Sequence, residues 1–209
     1  MVQKNYQEVI PRIKLPEQLS RLGEIAYNLW WTWNSGADEL FSSIDAALWE
    51  ETRHNAVEFL HRLERPHFNI AMADESYMAN YEKQVTAFDA YMNADETWFT
   101  QQYPAVKDKK IAYFSFEFGL HESLPVYAGG LGVLAGDHLK ESSDLGLPIA
   151  GVGFVYRQGY FLQHITEDGW QETGHFVLDF NELPIIPILD EKNEPLMICV
   201  QLQIGRAHV

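Results

Sequence analysis

A single cysteine, Cys199, stands in 209 residues, so no disulfide framework holds this chain, and a reducing compartment such as the cytoplasm suits it. Basic residues are scarce. Fifteen Lys and Arg against 30 Asp and Glu give a formal net charge of −15 at pH 7. A surface of that sign repels phosphate backbones, so no nucleic-acid partner is expected. Long apolar runs are missing too: none approaches the roughly 20 residues that span a bilayer, and no membrane partner is expected. The start, M-V-Q-K-N-Y-Q-E-V-I-P, has no apolar signal region. There is no repeat of 20 to 50 residues and no low-complexity tract. What is present is apolar and aromatic: 46% hydrophobic residues, 13% aromatic, enough to bury the core of one large or two small domains.

Over the first hundred residues the apolar spacing is helical. Leu22, Ala26, Leu29, Trp30 and Trp33 fall on one face of a helix starting near Leu19, with Pro16 suited to its first turn and Asn34-Ser35-Gly36 as its stop. A shorter helical pattern follows from Ala37, and another covers 46–63, ending before Pro66. Tyr77, Tyr81, Val85, Phe88 and Met92 make a further stripe at spacings of three and four.

The pattern changes near Pro104. After the charged link 107–110, Ile111-Ala112-Tyr113-Phe114-Ser115-Phe116 has the aromatic, apolar character of a buried strand. A helix is predicted over 131–145, stopped by Gly146, and a second strand over 148–156. Strand, glycine-rich turn, helix and strand make a βαβ unit, which requires parallel pairing. Strands are also predicted over 160–165 and 169–178, joined by the turn Thr166-Glu167-Asp168-Gly169, and short ones over 185–189 and 196–203. The fold class is therefore α/β, behind a helical leader.

The stretch 126–139, V-Y-A-G-G-L-G-V-L-A-G-D-H-L, puts Gly129, Gly130, Gly132 and Gly136 where the helix begins. Glycine is a poor helix former, so the bare backbone must serve something else. A helix N-terminus has free N–H groups and a partial positive charge, and glycines let an anion or a sugar approach them. The alternative is a tight turn with close packing of helix on strand, and the glycines alone leave both open. A nucleoside-triphosphate phosphate loop would end in Gly-Lys-Ser/Thr, which is missing here. The dinucleotide fingerprint G-x-G-x-x-A fits Gly130, Gly132 and Ala135, but the next strand ends Val155-Tyr156-Arg157 without the acidic ribose ligand. The loop from Phe118 to Gly129 is also too long for that turn.

Residues 113–163, "YFSFEFGLHESLPVYAGGLGVLAGDHLKESSDLGLPIAGVGFVYRQGYFLQ", resemble the N-terminal catalytic domain of the α-glucan phosphorylases, the glycogen, starch and maltodextrin group. An S-x-E-F element, a G-G-L-G loop, a G-L-P step and a G-x-G-x-x-Y-x-x-G-x-F-x-Q run occur in order, and D-G-W-Q at 168–171 extends the likeness. The preceding helices resemble the leader domain of the shorter, non-animal members. The resemblance implies a two-lobed glycosyltransferase of GT-B type, with Rossmann-like lobes. Such an enzyme splits terminal α-1,4-linked glucose from a glucan with inorganic phosphate, giving glucose 1-phosphate with retained configuration. Pyridoxal 5'-phosphate is the implied cofactor, and α-1,4-glucan and phosphate are the implied partners. The G-G-L-G loop would offer backbone N–H groups of Gly129, Gly130 and Leu131, with Gly132, to phosphate and the glucosyl unit. Glu117 would lie near the cofactor or support the loop.

The chain departs from the family in places. Gly119 stands where animal-type members have a cofactor-contacting tyrosine, and Ala128 stands where they have asparagine, so neither contact is carried over. The cofactor lysine, phosphate-binding cations and main catalytic histidine belong to later sequence of this family. The expectation is an N-terminal fragment, inactive alone, with a leader over 1–103, the first part of the N-terminal GT-B lobe over 104–203, and a tail over 204–209 that resembles a translated sequencing adaptor. No catalytic residue is assigned within it.

Remaining candidates are weaker. His121-Glu122 lacks the second histidine of a zinc-protease helix, since position 125 is Pro, and His54, His61 and His67 have no ligand spacing; no metal is expected. Asp137 and His138 are adjacent on a helix and face different ways, so they form no dyad, though either is a candidate for lining the cleft, as is Arg157 after its strand. Trp31, predicted to point away from the Trp30 and Trp33 face, is the candidate for stacking on a sugar ring. Two rival functions are a glycogen or starch synthase type glucosyltransferase, disfavoured by the missing lysine of K-x-G-G-L-G, and a non-catalytic glucan-binding module.

Overall fold

The computed structural model describes residues 13–174 and 177–197. Cys199, most of the strand expected over 196–203, and the tail 204–209 lie outside the described residues. Residues 13–184 belong to one compact unit, and 185–197 belong to another.

The leader is helical, in shorter pieces than the periodicity suggests. A 3₁₀ turn at Glu17–Leu19 leads into α1 (Arg21–Tyr27) and a second 3₁₀ turn at Leu29–Thr32. Then come α2 (Glu39–Ser42), α3 (Ala46–Glu51), α4 (Ala56–Arg62), α5 (Arg65–Ala73), α6 (Glu75–Met92) and α7 (Trp98–Gln102). The single helix expected over 46–63 is two. Arg53 and His54 take positive φ (51° and 58°), and Asn55 then caps α4 by accepting from the N–H groups of Val57 and Glu58. Asp45 and Asp74 cap α3 and α6 in the same way.

These helices enclose a core of their own. Leu22, Ile25, Leu40, Phe41, Val57 and Phe59 are fully buried, with Trp30, Trp31, Trp49 and Phe88 close behind. Burying one such side chain contributes roughly 1.5–3 kcal/mol. The rings meet edge-on, as between Trp30 and Phe88 at 5.4 Å and Trp31 and Phe41 at 5.3 Å, while Phe41 stacks on Trp49. Arg21 on α1 grips Asp89 on α6 through both carboxylate oxygens, a pair that holds the Asp89 carboxyl below its usual range.

Beyond α7, β1 (Ile111–Phe114), α8 (Gly129–Asp144) and β2 (Ile149–Val152) form a βαβ unit. β1 and β2 pair in parallel, with Ile111 opposite Ile149 and Phe114 opposite Val152. Among the described residues its core is small: Phe118, Val126 and Ala135 are buried, against Tyr113, Leu120, Leu124 and Leu139. A hairpin follows, β3 (Leu162–Ile165) antiparallel to β4 (Gln171–Gly174), turned through Thr166–Gly169 as expected. In the other unit, the strand expected over 185–189 is reduced to an isolated antiparallel bridge, Leu189 with Pro195, because Asp190 accepts the N–H groups of Lys192 and Glu194 and folds the chain back at once.

Candidate functional site

The strand-to-helix turn sits on three supports. The first is the turn at Ser115, whose hydroxyl donates to the Glu117 carbonyl at 2.8 Å and accepts the Glu117 N–H. That turn throws the Glu117 side chain toward the start of α8. The second is Glu117 itself: Oε2 accepts the backbone N–H of Ala128 at 3.3 Å, and Oε1 accepts the phenol of Tyr160. Holding that carboxylate pushes the Tyr160 phenol upward in pKa, as the hydrogen bond to Glu117 favours its protonated form. The third is the close approach of residues 117–120 to α8, where Gly119 N–H donates to the Gly132 carbonyl at 2.7 Å.

The four glycines do different things. A Cβ on Gly132 would lie 2.5 Å from Tyr127 Cβ and 3.0 Å from Glu117 Oε2, and one on Gly136 would lie 2.1 Å from the Gly119 carbonyl oxygen. Those two are demanded by packing. Gly129 has φ +73°, a conformation that favours glycine, and no atom crowds it. Gly130 has neither reason: its φ is ordinary and nothing lies within 4 Å of where a Cβ would stand. Gly129, Gly130 and Leu131 are all exposed. The N-cap, Ala128, offers no side-chain oxygen, so no side chain caps the first N–H groups of α8. The turn therefore presents uncapped backbone donors at the positive end of a 16-residue helix, with open space over Gly130.

The other predicted residues lie apart from this turn. Asp137 is exposed on α8, and His138 sets its ring edge against Tyr113 at 5.3 Å. Arg157 is exposed, and its carbonyl accepts the Leu178 N–H. Among the described residues no hydrogen bond or ion pair joins any of the three to Glu117. The expected exposure of Trp31 is corrected: its side chain is 3% exposed, enclosed by Phe41, Trp49 and His121, so no ring face is free for a sugar. The cause is Asn28. It leaves helical geometry (φ −98°, ψ 115°) and restarts the chain as a 3₁₀ turn by accepting the Trp30 N–H, so the helical wheel drawn through it is out of phase. No group of three His, Cys, Asp or Glu side chains that could hold a metal occurs among the described residues. Among them, too, no helix is long and apolar enough to cross a membrane.

Three residues at the site escaped sequence reasoning: Ser115, Tyr127 and Tyr160. Ser115 carried a signal, since S-x-E is a spacing at which a hydroxyl bonds the backbone two residues on. Tyr127 and Tyr160 carried none that distinguishes them from other aromatics beside a strand.

Known proteins match this sequence. Residues 15–124 match the family described as "Protein of unknown function (DUF3417)". The maltodextrin phosphorylase of Thermococcus litoralis is 40% identical over 190 residues, covering 91% of this chain and 23% of that protein. The glycogen phosphorylase of Aquifex aeolicus is 43% identical over 182 residues, covering 87% and 25%. A glycogen phosphorylase of Mycobacterium tuberculosis is 38% identical over 196 residues, covering 91% and 23%. The chain thus spans about a quarter of the length of these relatives. No solved structure matches it. With the family matched over more than half of its 209 residues, and phosphorylases aligned across most of it, the chain belongs to the DUF3417 family and is homologous to the α-glucan phosphorylases over about a quarter of their length.

Proposed function

We propose that this chain is part of an α-glucan phosphorylase, in which 1–103 is the helical leader and 104–203 the beginning of the N-terminal Rossmann-like GT-B lobe. The whole enzyme splits terminal α-1,4-glucosyl units with inorganic phosphate to give glucose 1-phosphate, with retained configuration. The observation that carries this reading is the open backbone at Gly130, the one glycine of the turn that neither packing nor φ explains.

In the reaction, negative charge grows on phosphate oxygens as the glycosidic bond breaks. Preorganised N–H dipoles stabilise such charge without reorganising. Gly129, Gly130 and Leu131 supply them, and the absence of a side chain at Gly130 lets an oxygen come close. Glu117 acts as a brace. Both its carboxylate oxygens are engaged, by Tyr160 and by Ala128, so its role is to fix the start of α8 rather than to move a proton. The uncapped donors also fit a phosphate group of pyridoxal 5'-phosphate, which when bound supplies proton transfer through that phosphate; the lysine that carries it lies outside these 209 residues. Glucan and phosphate are the partners, and the sign of the net charge and the cysteine content suit a cytoplasmic enzyme.

A chimera tests this. Residues 15–196 replace the aligned stretch of the Aquifex aeolicus enzyme, and glucose 1-phosphate release from maltodextrin is measured with cofactor supplied. The expected result is phosphorolysis, lowered on the order of 100-fold by Gly130→Ala, the cost of about 1 Å of misplacement. A chimera that folds, retains cofactor and releases no glucose 1-phosphate overturns the reading. The 209-residue chain alone is expected to release none.

A further inference from the structure

Behind the glycine turn lies a cavity of about 390 Å³, bounded by Arg53, Asn55, Glu122, Tyr127, Tyr160 and Glu182 among others. It falls within the roughly 300–1,000 Å³ of small-molecule sites. A second cavity, of about 280 Å³, opens beside it, and the two share Pro125, Gly159 and Tyr160 as walls. Their linings differ. The larger is mixed, with apolar walls such as Val177, Leu178 and Leu183 and four carboxylates (Glu58, Glu122, Asp179, Glu182) against one lining guanidinium, Arg53; Glu58 also pairs with Arg62 and Glu122 with His54. The smaller is aromatic, with Phe116, Tyr156 and Tyr160. Neither is lined by Gly129, Gly130 or Leu131.

That pairing selects a ligand class. Carboxylates in excess over cations, with Glu182 unpaired among the described residues, disfavour phosphates and nucleotides there. A neutral polyhydroxylated ligand suits both halves: its hydroxyls donate to carboxylates and accept from Arg53, and the apolar face of a pyranose ring rests on aromatic rings. Arg53 and Glu182 enter no side-chain hydrogen bond or ion pair recorded among the described residues, so both heads are available. Arg53 is held at a φ of 51° between α3 and α4, which fixes where its side chain starts.

We infer that the paired cavities behind the glycine turn form a second glucan site, binding a short neutral α-1,4-glucan apart from the phosphate-facing turn. The choice of glucan rests on the phosphorylase reading above; the neutral, polyhydroxylated character rests on the lining alone. The site has a mechanical link to the turn. Tyr127 and Tyr160 line the cavity, and the same two residues pack against Gly132 and hold Glu117. A sugar seated against them fixes the brace that positions Ala128 and the start of α8.

Titration of the 209-residue chain with maltotriose, followed by amide chemical shifts, tests the inference. The expected result is saturable shifts at Arg53, Gly159 and Tyr160, with none there on titration with inorganic phosphate. Arg53→Gln and Glu182→Gln each weaken maltotriose binding by roughly tenfold or more, the size of one lost hydrogen bond to a charged group, with circular dichroism unchanged. Absence of saturable shifts, shifts confined to 129–131, or unchanged affinity in both variants overturns the site. If the chimera phosphorolyses and the variants bind as before, this inference alone fails. If the chimera is inactive while maltotriose binds here saturably, the enzyme reading alone fails.

Discussion

The helical leader and the βαβ unit are built from similar apolar residues and treat them in opposite ways. In the leader, Phe41, Phe59 and Phe88 are wholly enclosed. In the βαβ unit, Phe114 is 73% exposed, Phe116 and Leu131 72%, and Leu134 67%. The leader satisfies itself, whereas the unit's two strands show their apolar side chains on a sheet that, among the described residues, has two strands. A two-stranded sheet is marginal at best alone, and apolar patches of this kind mark surfaces that something else covers. Stability and the candidate chemistry are therefore divided along the chain. The leader holds its own fold, and α8 is anchored to it at the far end, where Tyr91 donates to Asp144 and accepts from the Ser143 hydroxyl, and Trp33 donates to Asp144. Burial pushes the Tyr91 phenol up to about 12, so this anchor keeps its donor across the physiological range.

The division predicts the largest effect in the leader. Phe59→Ala should cost about 3–5 kcal/mol in denaturant unfolding followed by circular dichroism, as for a large cavity in a closed core. Phe114→Ala should cost within about 0.5 kcal/mol in the same measurement, since its ring is already in water. Equal costs at the two positions would dissolve the contrast. Phe114→Ser with Leu134→Glu should also lower self-association in sedimentation velocity, because the exposed edge and patch are the sticky surfaces.

Within the unit the glycines sharpen the contrast. Gly136→Ala drives a Cβ into the Gly119 carbonyl and should destabilise by about 1–3 kcal/mol through overpacking. Gly130→Ala meets open space and should leave stability unchanged or raise it by up to about 1 kcal/mol. Thermal melts of the two single variants decide this, and a destabilised Gly130→Ala would remove the reason for giving that position to a ligand.

Much of this was legible in the sequence, and the exceptions have a common cause. The βαβ unit could be read because a strand-length apolar run, a glycine turn and a second run follow at the spacings a parallel crossover needs. The 77–92 stripe could be read because α6 is long and uninterrupted. Trp31 and the 46–63 helix could not, since each depended on a break made by one side chain, Asn28 in one case and Asn55 in the other. Periodicity carries no record of such a re-phasing. The separate duties of Gly129, Gly130, Gly132 and Gly136 were equally hidden, because what distinguishes them is Tyr127, Glu117 and the Gly119 carbonyl, brought near by the fold rather than by spacing.

The smallest effect lies where leader and loop meet. His54 Nε2 contacts Glu50 and Nδ1 contacts Glu122, so its pKa is raised, first by the bond to Glu50 and then by that to Glu122. Trp49 lies against the same ring, and His121 stands near it with its own pKa lowered by burial. The two histidines act in opposite directions. The His54 pairs stabilise the fold fully below the unfolded value of about 6.5 and fade as pH rises through the raised folded value. His121, favoured neutral, stabilises above about 6.5 and loses that contribution as pH falls. His54→Asn separates them, since Asn tolerates the positive φ at this position and removes the charge, while the contact with Trp49 that is lost with the ring does not change with pH. The melting-temperature deficit of the variant should be larger at pH 5.5 than at pH 8.5, by an amount equivalent to about 0.2–1 kcal/mol, the range of exposed ion pairs. A deficit equal at both values would mean that the loop is held to the leader by packing around Trp31 and His121, and that the charges at Glu50, His54 and Glu122 contribute nothing to that junction.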